Sequence, residues 1–268
     1  MGLLDDLKKE AEELKRKQLE ETQNKIQSLN QNFVSVQGKL AQIYRFLHEL
    51  INQLNVVKLE VPRSYYIGGF GQVDDMRQTD YAVATKNMTL DNRDFIKEIH
   101  LRFKCVTDKE LKITKESEAA VEQFRDYLWR NNLKFDCHEI RNPRGYVEKG
   151  EFILANSILI HFLISADFDQ AKIKIASRNF EMLGVNEFTY DAEEINETLL
   201  DEFGKYLIAK PNRFRSLGRV QEAMLKARVE KKPDNHPYVV HQEEAGIQEP
   251  QQGTKLFGAI KSLFNKDK

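Results

Sequence analysis

The sequence predicts an α+β protein: a long N-terminal coiled-coil helix, a central antiparallel sheet body, a tether and a short C-terminal amphipathic helix. Three observations carry this. Apolar residues recur at alternating intervals of four and three over residues 22–57, strand-like alternation begins after Pro62, and helical spacing returns at 117–131 and 255–268. The expected organisation is a helix at 1–60, a body at 61–232, a tether at 233–254 and a terminal helix at 255–268.

The seam comprises Thr22, Ile26, Leu29, Phe33, Val36, Leu40, Ile43, Leu47, Leu50, Leu54 and Val57. A stripe of 3.5-residue period needs a facing helix, so Ile26 through Leu54 are expected to join copies of the chain into a homo-oligomer. An earlier stripe, Leu4, Leu7, Ala11 and Leu14, is out of phase with it. The intervals from Leu14 through Gln18 and Thr22 to Ile26 are all four, a slip that alters the supercoil locally. Beyond Lys39, Tyr44, Phe46 and Ile51 widen the apolar face past a two-stranded seam, which predicts packing on more than one neighbour, either the chain's own body or further helices. Gly38 on the outer face costs about 1 kcal/mol relative to Ala. Pro62 is expected to close the helical region, because the residue before proline is pushed out of the helical basin.

In the body, residues 65–67, 81–86, 95–106 and 111–114 read as strands, with Gly68, Gly69 and Gly71 in a hairpin loop. Residues 117–131 place Ala120, Val121, Phe124, Leu128 and Trp129 at helical spacing, a helix laid on a sheet. The pattern recurs. Ile99-His100-Leu101 resembles Ile160-His161-Phe162, and Phe124 to Leu128 resembles Phe203 to Leu207, once residues 179–196 are set aside as an insertion. This suggests two diverged strand-and-helix units, 61–135 and 136–214, packed together. A further helix is expected at 217–229, followed by a proline- and glycine-bearing tether poor in apolar residues.

Bulk composition narrows the function classes. The 268 residues accommodate one domain of ordinary size plus extensions. Lys plus Arg (41) nearly balances Asp plus Glu (42), so any anion binding must come from a local cluster. Two cysteines, Cys105 and Cys137, are too few for a disulfide framework and fit a reducing compartment. No apolar run approaches the roughly 20 residues of a spanning helix, and Asp6 stands where an N-acylation signal requires Ser or Thr. A cytoplasmic location follows as the expectation, with peripheral attachment at the inner face of a membrane.

That attachment is expected from the terminal helix. Leu256, Phe257, Ile260, Leu263 and Phe264 share one face, flanked by Lys255, Lys261, Lys266 and Lys268. Such a helix can lie among lipid headgroups with its ammonium groups reaching outward, fill a partner's groove, or dock back on its own domain. In general type it resembles the membrane-targeting helices that end some bacterial division and partitioning proteins. A second expectation is phosphate contact, and through it nucleic acid, by Lys210, Arg213, Arg215 and Arg219 within the basic stretch 210–232, with Phe214 as a stacking ring. The eight acids of residues 181–202, which include no Lys or Arg, are placed to neutralise that stretch. A third is a small-ligand or enzyme pocket between the two halves.

Catalytic signals are weak. Cys137-His138-Glu139 are consecutive on an expected strand and point alternately to opposite faces, so they cannot readily share one ion. His100 and His161 alternate with apolar neighbours and fall on the face away from the core, either solvent-facing or paired. Acids follow the Gly68–Gly71 loop where a nucleotide fingerprint requires a helix. No metal, cofactor or enzymatic activity is expected.

Overall fold

The computed structural model describes residues 2–90, 92–217 and 219–220, with side chains except at 3–9 and 219–220. The first element, α1 (Leu3–Val57), is one continuous helix. At the slip, Thr22 returns its hydroxyl to the Gln18 carbonyl at 2.7 Å, satisfying itself on its own helix. Pro62 does not end α1. The stop is Lys58, whose left-handed backbone (φ 49°) directs its N–H onto the Leu54 carbonyl at 2.9 Å.

The body follows as β1 (Pro62–Ile67), β2 (Gly71–Leu90), β3 (Arg93–Val106), β4 (Leu111–Glu116), α2 (Glu118–Arg130), β5 (Phe135–Arg141) and β6 (Val147–Leu154). It continues through β7 (Ser157–Asp167), β8 (Lys172–Arg178), β9 (Val185–Asp191), α3 (Glu197–Leu207), α4 (Phe214–Leu217) and β10 (Arg219–Val220). The helix expected at 217–229 is corrected where it is described: α4 ends at Leu217, and residues 219 and 220 pair as a strand with β9.

Seven strands form one sheet in the order β1-β2-β3-β7-β8-β9-β10, and three form another in the order β4-β6-β5. Antiparallel register sets each face. Ile99, Leu101, Phe103 and Cys105 of β3 stand opposite Ile164, Phe162, Ile160 and Ile158 of β7, and all eight are buried. Their alternate neighbours, among them Glu98, His100, Arg102, His161 and Leu163, therefore occupy the other face. On the core face Phe203 of α3 lies 5.7 Å from Phe162, and α1 crosses α3 at Gly204. A Cβ on Gly204 would stand 3.1 Å from the tip of the Phe46 ring, so the crossing is that close because the residue is glycine.

On the smaller sheet, α2 sets Phe124 edge-on to Phe152 at 4.9 Å, and Ser117 caps it by accepting from the Ala120 N–H. Trp129, expected in its apolar set, is 71% exposed. The Gly68–Gly71 loop is a hairpin turn between β1 and β2, as its acids predict. It seats on α2, with the Gly68 N–H donating to the Tyr127 hydroxyl at 2.8 Å.

Two expectations about organisation are corrected. Residues 61–135 and 136–214 do not repeat one path: β4 leaves for the smaller sheet, whereas β8 folds back on β7. The likeness around His100 and His161 reflects two adjacent central strands obeying the same in-and-out alternation. Nor is 1–60 a domain apart from the body, since α1 belongs to one compact unit comprising Met1–Lys86 and Ile96–Val220. The described part of the other unit is residues 87–90 and 92–95, at the turn end of the β2–β3 hairpin, where the Thr89 hydroxyl donates to Asp94 at 2.7 Å.

Candidate functional site

The seam along α1 divides near Phe33. Val36, Leu40, Ile43 and Leu47 are fully buried and Leu54 is 7% exposed, all in the chain's own core, with Leu50 half-buried beside them. For these residues the expectation of an intermolecular seam is overturned. The physical reason is the widened face: with Tyr44, Phe46, Leu50 and Ile51 added, this half carries the broad stripe of a core helix, and the sheet supplies its cover.

Polar residues flanking the stripe fasten it. Gln37 donates to the Ile96 carbonyl at 2.8 Å and accepts from the Ile96 N–H at 3.1 Å. Lys39 donates to the Ile195 carbonyl at 2.6 Å, and Asn55 to the Tyr81 carbonyl at 3.0 Å. The sequence shows these amides and this ammonium group only as a solvated flank. Their one available signal is the preference for Gln and Asn over Glu.

The fastening stops at Asn32, which donates to the Asp169 carbonyl at 3.0 Å, and at Phe33, whose ring lies 5.2 Å from Phe168. Upstream, Ile26 and Leu29 are half-buried along the helix surface, and residues 10–25 are exposed without exception. Leu14 and Leu19 are 55% and 59% exposed. Glu13–Lys17 and Arg16–Glu20 pairs, one turn apart, run along this stretch and suit a helix in water. The free length thus offers Leu14, Ile26 and Leu29 in the gently slipped phase read from the sequence.

The basic stretch is less free than its charge suggests. Arg215 pairs with Glu181 at 3.3 Å, and the Arg213 N–H donates to Glu202 at 2.5 Å. The Lys205 ammonium and that N–H hold the Glu202 carboxyl below its ordinary range. Lys210 and the Arg213 side chain are exposed, while Arg219 is described only as backbone in β10. Phe214 cannot serve as a stacking platform, because it is fully buried among Phe188, Tyr190, Phe203 and Tyr206. The tether at 233–254 and the terminal helix, with Leu256, Phe257, Ile260, Leu263, Phe264, Lys255, Lys261 and Lys266, lie outside the described residues.

Thiols and histidines are built into local structure. Cys105 is buried against the Tyr65 hydroxyl at 3.5 Å, and burial pushes its thiol up to about 11, with the Tyr65 hydrogen bond and the Arg63 charge opposing that rise. Half-buried Cys137 faces Arg125, which also binds Glu139. At about pH 8, iodoacetamide is therefore expected to modify Cys137 in the folded chain and Cys105 only after unfolding, and peptide mass mapping checks this. Modification of Cys105 at the same rate in folded protein would contradict its placement.

His100 and His161 are paired rather than solvent-facing. His100 Nδ1 lies 3.0 Å from His161 Nε2, and their rings are nearly parallel at 5.2 Å. Glu98 stands 3.2 Å from His100 Nε2 and 3.6 Å from the Lys86 ammonium. With Nε2–H donating to Glu98, a neutral His100 accepts from His161 Nε2–H, which leaves His161 Nδ1 as the ring position able to gain a proton. Burial, followed by the charges of Arg102, His100 and Arg178, holds His161 below the ordinary histidine range. Among the described residues no group of three or more His, Cys, Asp or Glu side chains is placed to hold a metal ion.

No protein-family model, curated protein or solved structure matches the chain. Among the described residues no helix is long and apolar enough to cross a membrane.

Proposed function

We propose that the protein is a non-enzymatic scaffold that self-associates through the free N-terminal half of α1 and grips an anionic membrane surface with residues 255–268. The observation that carries this reading is the division of α1: one half is locked into the body, and the other holds an apolar stripe in water. A helix anchored at one end keeps its free half pre-formed, which lowers the ordering cost of pairing with another copy. The stripe is interrupted by Gln18 and Thr22, so association is expected to reverse on dilution.

Residues 255–268, amphipathic at helical spacing in the sequence, supply a weak grip for the assembly to multiply. Their lysines each favour anionic lipid by about 1 kcal/mol near the surface, and linking two or more copies raises apparent affinity by roughly a hundredfold if the tethers reach. Vesicle flotation tests this with the full chain, a chain ending at Gly253 and a chain beginning at Gln31. With vesicles containing anionic lipid, the full chain is expected to float, the chain ending at Gly253 to stay below, and the chain beginning at Gln31 to float at least about tenfold more weakly. Equal flotation of all three contradicts the reading.

A further inference from the structure

We propose that Arg102, His161 and Arg178, a row across β3, β7 and β8 on the sheet face opposite the core, bind a phosphate group. Register puts them there: Arg102 stands opposite His161, and His161 opposite Arg178. At the usual spacing between strands the two arginine backbones are about 10 Å apart, with the imidazole between them. Two guanidinium groups approaching one tetrahedral oxyanion from either side can each donate in the forked geometry that suits phosphate.

The surrounding charges leave this row uncompensated. Lys104, two residues along β3, is taken by Asp80 at 3.0 Å, and Glu98 is taken by Lys86 and His100. Among the described residues Arg102 and Arg178 have no ion-pair partner. Glu187 of β9 lies on the same face opposite Ala176, within a diagonal step of Arg178, and forms no ion pair with it. Arg102 and Arg178 carry like charges about 10 Å apart across β7, so their mutual repulsion is a local cost that a bound anion removes. Burial is the first cause of the lowered proton affinity of His161, and the charges of Arg102, His100 and Arg178 add to it in the direction an anion would reverse. The row is independent of α1, so its test stands apart from the scaffold reading.

The experiment titrates the full chain with inorganic phosphate, and separately with a nucleoside 5′-monophosphate, while following histidine ring resonances by NMR. The His161 signals are assigned by their loss in His161→Gln. Expected is a saturable shift of His161 that weakens at least about tenfold in Arg102→Gln and in Arg178→Gln, the equivalent of one charge-assisted hydrogen bond. Lys112→Gln, on the outer face of the smaller sheet, is expected to leave it unchanged. Tighter binding of the monophosphate identifies a phosphate monoester as the ligand, and equal binding identifies the free ion, both in support. An equal shift with chloride at matched ionic strength, or equal weakening in all three lysine and arginine variants, overturns the site.

Discussion

A chain beginning at Pro62 is expected not to fold. It lacks Val36, Leu40, Ile43, Leu47, Ile51 and Leu54, six buried apolar side chains that close the core face of the seven-stranded sheet. At about 1.5–3 kcal/mol for each, their loss removes roughly 9–18 kcal/mol. That rivals or exceeds the whole net stability of a typical domain, about 5–15 kcal/mol. The loss of the Gln37, Lys39 and Asn55 tethers adds to it by leaving backbone groups at Ile96, Ile195 and Tyr81 without these partners. Circular dichroism and urea titration check the outcome: a cooperative transition in the truncated chain would mean that α1 is an appendage after all.

A chain beginning at Gln31 is expected to behave oppositely. It keeps Asn32, Phe33 and every buried residue of α1, and loses a stretch in which residues 10–25 are wholly exposed. Its unfolding free energy from urea titration should match that of the isolated full-length protomer within about 0.5 kcal/mol, the usual effect of changes away from packed features. Its mass in solution should fall to that of one chain. The pair of truncations thus separates the half of the helix that stabilises the fold from the half proposed to associate. If the shorter N-terminal truncation unfolded the body, the boundary at Phe33 would be misplaced.

Local order was legible because it follows from periods and turn residues. The extent of α1 within three residues, the Gly68–Gly71 hairpin, the existence of α2, and the placement of His100 and His161 away from the core all follow from spacing. What a buried stripe meets is not encoded in its period. Leu40 and Leu47 sit in a heptad whether a second chain or a sheet covers them, and the extra width at Phe46 and Ile51 indicated only a further neighbour, the chain's own body or more helices. Strand order was hidden for the same reason, since β4 and β8 look alike in sequence and join different sheets through contacts distant along the chain. The arginines flanking His161 are invisible until register aligns three strands, because Arg102 and Arg178 are separated along the chain and share no motif. In the basic stretch the acids of residues 181–202 did indicate neutralisation, and Glu181 on Arg215 is an instance of it.

Self-association requires that another copy cover the exposed half of α1. Light scattering of the intact protein over a dilution series, beside a variant carrying Leu14→Asp, Ile26→Asp and Leu29→Asp, measures this directly. The expected result is a mass that is a multiple of the 31.3 kDa chain for the intact protein at high concentration, and a single-chain mass for the variant. A single-chain mass for the intact protein throughout the series would contradict it.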